Sequence, residues 1–126
     1  MVLESKVKIF KALSDETRLR ILHLLIQKEC CVCEVMQALN ISQTRASRNL
    51  SQLYNAGLLL LRKEGLWSLY SIDETKIEPF AASIIGAMRQ YLKDSPELFN
   101  DIENLKKAVR EGGCSSSNPP CSGNCK

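Results

Sequence analysis

Apolar residues recur at helical spacing along most of the chain. Residues 4–13 are a predicted helix because Val7 and Phe10 share one face. The Ser, Asp, Glu and Thr of residues 14–17 are typical of a helix N-terminus, so a second helix begins there. Its leucine and isoleucine stripes predict nearly complete burial, and we expect His23 within it to be packed and hydrogen-bonded, not a metal ligand.

A short helix, a turn and a polar-faced helix come next. Residues 29–39 are a predicted helix that Asn40 ends, and Ser42 is the predicted N-cap of a helix over residues 43–56. Gly57 suits the position just after that helix, where a left-handed conformation is common. This succession is the helix-turn-helix pattern.

The apolar period changes after residue 57. Apolar positions now alternate on both sides of residues 63–65, which predicts a β-hairpin, or wing, with its turn at Gly65. The chain is therefore predicted to be mainly α with a small β-hairpin, in a winged helix-turn-helix arrangement.

Two further helices are predicted after the wing. One runs from Asp73 or Thr75 to Lys93, with Pro79 in its first turn or at a short break, and the last begins at residues 95–97. Their apolar stripes exceed what so small a domain needs for its own core. We therefore expect a homodimer, against the alternative that both stripes pack within one chain.

The composition indicates one globular domain with a distinct tail. The chain has 126 residues, of which 44% are hydrophobic and 25% charged, which is close to the globular average. Residues 1–111 are the predicted DNA-binding and dimerisation domain. Residues 112–126 hold Gly, Ser, Asn, Pro and three cysteines, and are predicted to be a flexible tail.

The cysteine content directs attention to sulfur chemistry. The chain has six cysteines and a single histidine, which argues against a His-rich zinc site. No signal-peptide core and no apolar run near the roughly 18 residues needed to cross a bilayer is apparent. We therefore expect a cytoplasmic protein without membrane contact, in which thiols are favoured over disulfides.

A basic, acid-free stretch indicates double-stranded DNA as partner. Between Glu34 and Glu64 there is no Asp or Glu, which suits contact with a phosphate backbone, although an ordinary solvated face is the alternative. Polar side chains of the second helix of the motif can reach base edges, and basic ones at the hairpin tip can reach phosphates. The predicted DNA-binding residues are Gln43, Thr44, Arg45, Ser47, Arg48, Asn49, Gln52, Arg62 and Lys63.

Several segments resemble one known family. Residues 10–22 (FKALSDETRLRIL) resemble the ALxDxTRLxIL motif of the ArsR/SmtB metal-sensing repressors, and residues 41–50, 56–58 and 64–70 look like the recognition helix and wing of that family. The resemblance implies a homodimer without catalytic activity, which occupies operator DNA and leaves it when metal binds. Asn49 departs from the His that many members have, and we expect this to change base preference.

The cysteine segment is similar to a second motif of the family. Residues 29–34 (ECCVCE) are similar to the ELCVCDL box of the arsenic-, antimony- and cadmium/lead-sensing branches. The resemblance implies that Cys31 and Cys33 are ligands. The arsenite branch often has a third cysteine three residues later, where this chain has Met36.

Helical geometry frames the choice of ligands. On a regular helix Cys31 and Cys33 lie about 200° apart, whereas Cys30 and Cys33 share a face, so binding all three requires the first turn to unwind. The start of a helix also lowers thiol pKa values, which predicts thiolates. As(III) and Sb(III) take three thiolates, and these three cysteines supply them.

The tail cysteines and other functions stay open as alternatives. Cys114, Cys121 and Cys125 are a possible second or supplementary ligand set. We expect As(III) or Sb(III) as inducer and no organic cofactor. The alternatives are a Cd(II)/Pb(II) sensor, a thiol redox or persulfide switch on the same fold, and, with less support, a small thiol oxidoreductase or a metal-storage protein.

Overall fold

The computed structural model describes residues 3–92 and 94–110, which form six helices and three strands. In chain order these are α1 (Leu3–Leu13), α2 (Glu16–Gln27), β1 (Cys30–Cys31), α3 (Val32–Leu39), α4 (Gln43–Asn55), β2 (Leu60–Glu64), β3 (Trp67–Ser71), α5 (Pro79–Tyr91) and α6 (Pro96–Lys107). The mainly helical winged architecture predicted from the sequence is confirmed.

Side-chain caps begin α2 and α4, and a left-handed glycine follows the end of α4. Ser42 caps α4 as predicted, and Asp15, which belongs to the predicted cap cluster of residues 14–17, caps α2. Each side chain accepts from a backbone N–H three residues later. Gly57 has φ 88°, and the N–H of Leu58 donates to the carbonyl of Leu53 at 3.2 Å, which closes α4. The predicted boundaries of α4 are therefore confirmed to within one residue.

The helix expected from Asp73 or Thr75 begins later, at Pro79. Asp73 instead holds a turn, because its carboxylate accepts from the backbone N–H of Thr75 at 3.0 Å and from its hydroxyl at 2.6 Å. Such local hydrogen bonds compete with helix formation. The ring of Pro79 then suits the first turn of α5, so the alternative of a break before the helix is the correct one.

The first cysteines form a strand, which corrects the prediction of a helix over residues 29–39. Lys28 ends α2 in an extended conformation, with φ −166° and ψ 161°, and so leads the chain into a strand. Cys30 and Cys31 pair antiparallel with Tyr70 and Leu69 of β3, giving the strand order β1-β3-β2. Helix α3 begins only after this pairing.

The apolar stripe of α6 packs within the chain. Leu98 and Leu105 are 6% and 3% exposed, and α6 packs against α2 and α3. Asp101 on the same helix is 1% exposed and receives a bidentate pair of hydrogen bonds from Arg20 of α2, both 2.8 Å. The expectation that this stripe is surplus to the core is therefore wrong for α6.

Apolar side chains lie exposed elsewhere on the helices. On α1 the residues Ile9 and Ala12 face the core, whereas the predicted apolar face carrying Val7 and Phe10 points outward, at 40% and 57% exposed. Tyr91 at the end of α5 is also exposed. Within residues 3–92 and 94–110, every helix is too short or too polar to span a lipid bilayer.

Candidate nucleic-acid interface and thiol segment

Helices α3 and α4 meet in a tight turn that presents one face of α4 to solvent. Asn40 takes the left-handed conformation at φ 57° and ends α3. Ala46, Leu50 and Leu53 are fully buried and hold α4 against the core. The opposite, polar face is thereby presented outward at a fixed angle.

Most of the predicted α4 residues lie on or beside this outward face. Thr44, Arg45, Arg48 and Gln52 are exposed, and Gln43 and Ser47 are half-buried. Arg45 donates to the hydroxyl of Thr17 at 3.2 Å. No carboxylate among the described residues pairs with Arg45 or Arg48, so both charges are available to an anionic partner.

Asn49 differs from its prediction as a base-contacting residue. It is 8% exposed, because α4 turns this position toward α2. Its Oδ1 accepts from Nη1 of Arg18 at 3.0 Å, and its Nδ2 donates to the carbonyl of Arg45 at 2.9 Å. Asn49 therefore joins two helices and does not face the outer surface.

The basic residues of the wing lie on strand β2, before the turn at Gly65. Arg62 makes a bidentate contact to Glu29, at 2.8 and 2.9 Å, and a further contact to Glu64 at 2.9 Å. Lys63 donates to the hydroxyl of Ser68 at 2.9 Å. The prediction placed both cations at the hairpin tip, whereas in the structure they lie on β2 and contact neighbouring side chains.

The thiol segment, residues Cys30–Cys33, connects the wing to the helix-turn-helix. Cys30 and Cys31 are fully buried on β1, and successive strand residues point to opposite faces of a sheet. Cys31 is also the N-cap of α3. One end of the segment is thus part of the wing sheet, and its other end starts α3, the first helix of the helix-turn-helix.

The prediction of thiolates is wrong for this arrangement. Burial, together with the nearby charge of Glu34, raises the pKa of Cys30 to about 12. Burial also raises the pKa of Cys31, although the backbone N–H groups of Glu34 and Cys33 oppose it. Desolvation outweighs the effect of the helix N-terminus, so both groups are protonated at neutral pH.

The cysteines do not converge on one point among the described residues. Cys30 and Cys31 are free thiols, whereas Cys33 is disulfide-bonded. The expectation that thiols are favoured over disulfides is therefore wrong for Cys33. It was based on a reducing cellular compartment, and the compartment does not determine which sulfurs the fold brings together. No group of three His, Cys, Asp or Glu side chains able to hold a metal occurs within the part of the chain that is described. Cys114, Cys121 and Cys125 lie outside the described residues.

A buried carboxylate that sequence reasoning missed holds the thiol segment in place. Glu34 is 2% exposed and accepts from the N–H of Cys31 at 2.9 Å, from Lys28 at 2.8 Å and from Nε of Arg110 at 2.9 Å. Arg110 also donates to the carbonyl of Glu29 at 3.1 Å. The capping-box spacing from residue 31 to Glu34 was the available signal, but it is obscured by Cys in place of Ser or Thr.

His23 is packed in the core as predicted, but one of its nitrogens is unsatisfied. The residue is 4% exposed, and its Nδ1 has no hydrogen-bond partner in the described structure. Burial lowers the pKa of His23, and the charge of Asp101 only partly opposes this. The neutral form is therefore favoured, and the hydrogen bond expected at this residue is absent at Nδ1.

A helix-turn-helix with one exposed polar helix and an attached β-hairpin defines the class of winged helix-turn-helix DNA-binding transcription regulators. The Arsenic resistance transcriptional regulator ArsR2 of Pseudomonas putida is 36% identical over 110 residues, which cover 84% of this chain and 94% of that protein. Residues 15–59 match the model for bacterial regulatory proteins of the arsR family. The chain belongs to the arsR family.

Other similarities agree with this assignment. The Arsenical resistance operon repressor of Escherichia coli is 46% identical over 80 residues, covering 63% of this chain and 68% of that protein. Among solved structures, a homodimeric winged helix-turn-helix DNA-binding domain from Mycobacterium bovis superposes with a TM-score of 0.61 at 30% identity, covering 75% of this chain and 83% of that chain. The two sequence relatives are named as a transcriptional regulator and an operon repressor.

Proposed function

We propose that the protein is a cytoplasmic As(III)/Sb(III)-responsive repressor, which binds operator DNA as a homodimer and dissociates when thiolates bind the metalloid. The observation that carries this proposal is the place of the thiol segment. Three cysteines within four residues join the wing sheet directly to α3, so a change at the sulfurs reaches both parts of the DNA-binding unit. Its relatives named for arsenic resistance support the choice of ligand.

The outward face of α4 is the proposed recognition surface. Thr44, Arg48 and Gln52 carry side chains able to hydrogen-bond base edges in a major groove. Their exposure supports this role, as does the absence of a carboxylate partner for Arg48 among residues 3–92 and 94–110. Arg62 and Lys63 are the proposed backbone contacts of the wing, and Arg62 has to exchange Glu29 for phosphate to make its contact.

The proposed dimer interface is the exposed apolar surface of α1 and α5. Val7 and Phe10 of α1 lie exposed, and Phe10 makes an edge contact to Phe80 of α5 with ring centroids 5.7 Å apart. An apolar surface formed by two adjoining helices is a typical site for a second copy of the same chain.

The proposed ligands are Cys31 and Cys33, with a third thiolate from Cys30 or from the tail. Because Cys30 and Cys31 point to opposite faces of the sheet, a site that includes both requires β1 to leave β3. The tail starts close by, because Arg110 bonds to Glu34 beside the segment. Cys114 follows Arg110 by four residues, which an extended chain spans in at most about 14 Å.

Release from DNA follows from the cost of making thiolates in this environment. Each sulfur has to lose its proton to bind the ion, and the buried sites disfavour that charge. Cys33 in addition has to be in its reduced form. The ion therefore stabilises an opened segment, in which β1 no longer pairs with β3 and α3 is no longer capped, over the DNA-binding form.

The decisive experiment is release of an operator duplex titrated with As(III), Sb(III), Cd(II), Pb(II) and Zn(II) under reducing conditions. The operator is first obtained by selecting random duplexes for binding. Wild type should release the duplex with As(III) and Sb(III) at lower concentrations than with Zn(II). The proposal fails if no duplex is selected, or if the metalloids leave the complex intact.

Single substitutions assign the ligands. Cys31→Ser should bind the duplex like wild type but stay bound with arsenite, whereas normal release would remove Cys31 from the site. Cys30→Ser and a chain ending at Glu111 are compared in the same titration. The variant that loses the response identifies the third thiolate, and thermal unfolding of each variant verifies that it is folded.

A further inference from the structure

A basic cleft lies between α1 and the C-terminal end of α4, and it shares Gln52 with the residues assigned above to DNA recognition. It has a volume of about 250 Å³, and we call it the α1–α4 cleft. Its polar lining consists of Lys8, Lys11, Arg18, Gln52 and Asn55. Three cations and two amides thus line one small space, and no carboxylate of the described residues lines it.

The positive charge of Arg18 is held in place without being neutralised. Its Nε donates to the carbonyl of Ala12 at 2.6 Å, and its two terminal nitrogens donate to the carbonyl of Lys11 at 3.3 Å and to Oδ1 of Asn49 at 3.0 Å. All three acceptors are uncharged. The guanidinium therefore has a fixed orientation and keeps its full charge toward the cleft.

Lys8 and Lys11 add two mobile charges at the rim. They lie three residues apart on α1, hence on one face of the helix, and both are exposed. Neither forms an ion pair with a residue in the described part of the chain. Lys11 suits the negative end of α1, but Lys8 lies outside the last turn, so helix-end electrostatics alone does not account for the pair.

The cleft is continuous with the proposed recognition surface. Gln52 lines the cleft and also lies one turn after Arg48 on the outward face of α4. A DNA strand that follows α4 past Arg48 therefore reaches the cleft next. We propose that the α1–α4 cleft binds a phosphate of the operator backbone, with Lys8 and Lys11 as its mobile contacts and Arg18 as a fixed charge.

This inference rests on the proposed DNA-binding function and can be tested separately from it. The test compares the salt dependence of binding to the selected operator duplex for wild type and for Lys8→Gln/Lys11→Gln, by fluorescence anisotropy from about 50 to 200 mM salt. Both lysines are exposed, so the fold should be retained. The matched control is Lys76→Gln/Lys107→Gln, which removes the same charge outside the cleft.

The slope of log K against log salt should fall by about 0.9 for each phosphate that is no longer neutralised, hence by about 2 for the two clefts of a dimer. The control should keep the wild-type slope, and Lys8→Arg/Lys11→Arg should keep most of it. The preference for operator over a duplex with altered bases should be unchanged, because phosphate contacts carry no sequence information directly.

An unchanged slope in the cleft variant, or an equal fall in the control, overturns the phosphate assignment. A changed base preference overturns it as well. In each case the wild-type protein still binds the operator, so the proposed function stands. Failure of wild type itself to bind any selected duplex would instead refute the proposed function.

Discussion

Substitution of Glu34 by glutamine tests whether this carboxylate organises the thiol segment. Glutamine has the same shape but keeps a single acceptor oxygen. That oxygen can still accept hydrogen bonds from the N–H of Cys31 and from Nε of Arg110, which now donate to one carboxylate oxygen of Glu34 at 2.9 Å each. The new amide NH₂ then faces the ammonium of Lys28, where the carboxylate now accepts at 2.8 Å.

The expected loss of stability follows from these contacts. A hydrogen bond to a charged group contributes about 1.5–3 kcal/mol. The side chain of Lys28 is 47% exposed, so solvent screens its contact with Glu34. The contribution of this contact therefore lies at the low end of that range. Arg110 also loses a buried counter-charge. We therefore expect Glu34→Gln to lower the free energy of unfolding by about 2 kcal/mol.

The pH dependence gives an independent check. Burial by itself raises the pKa of Glu34, but hydrogen bonds from Lys28, Cys31 and Arg110 outweigh it and hold the pKa below its ordinary value of 4.5. The unfolded chain then binds the proton more readily, so the stabilisation is full above the ordinary pKa and is lost as the pH falls through the lower folded-state pKa. The difference between wild type and variant should shrink accordingly in acid.

The assay is urea unfolding at a fixed protomer concentration with reductant, since stability of a dimer depends on concentration. Glu103→Gln is the matched control, because Glu103 pairs with Lys106 and its side chain is 40% exposed. We expect its effect to be well under about 1 kcal/mol. The reasoning is refuted if Glu34→Gln costs no more than this control, or if its effect is the same at pH 7 and in acid.

Three further predictions follow from single positions. Burial raises the pKa of Cys30 to about 12, so iodoacetamide should alkylate this thiol at pH 8 at least about 100-fold more slowly in the folded, reduced protein than in urea. Peptide mass spectrometry follows the reaction, and similar rates in the two states would contradict the burial of Cys30. Asn49→Ala should lower the free energy of unfolding by about 1 kcal/mol in urea while leaving base preference unchanged, and an altered preference would return Asn49 to the DNA surface. Gly57→Ala should lower the free energy of unfolding by about 1–2 kcal/mol, because φ is +88° although nothing obstructs a Cβ. Gly86→Ala in α5 should instead raise it by up to about 1 kcal/mol, and equal effects at both glycines would refute the conformational argument.

The parts of the fold that depend on local signals were predictable from the sequence. The caps at Asp15 and Ser42 and the left-handed Gly57 lie where their chemistry predicts, because each acts through its own backbone neighbours. The strand at Cys30 was not predictable in this way, since two residues have no period and the pairing partner lies about 40 residues further along, on β3.

The candidate site shows the same division between local and long-range effects. The exposed side of α4 follows from the helical period, and Thr44 and Arg48 lie on it as expected. Asn49 was misassigned because its partner Arg18 comes from another helix. The protonated state of the thiols was missed for a related reason, since a helix N-terminus is visible in sequence whereas the desolvation that outweighs it arises only from packing.

Two connections lead from the thiol segment to the wing, and their burial indicates which one dominates. The first is the ion pair between Glu29, next to Cys30, and Arg62 on β2, whose side chains are 26% and 54% exposed. Solvent screens such a pair, and salt weakens it further. The second is the backbone pairing of Cys30 and Cys31 with β3, at residues that are fully buried. Because a buried backbone group left unpaired is costly, opening β1 has to rearrange the sheet. Under the proposed function, ligand binding therefore acts on the wing mainly through this pairing.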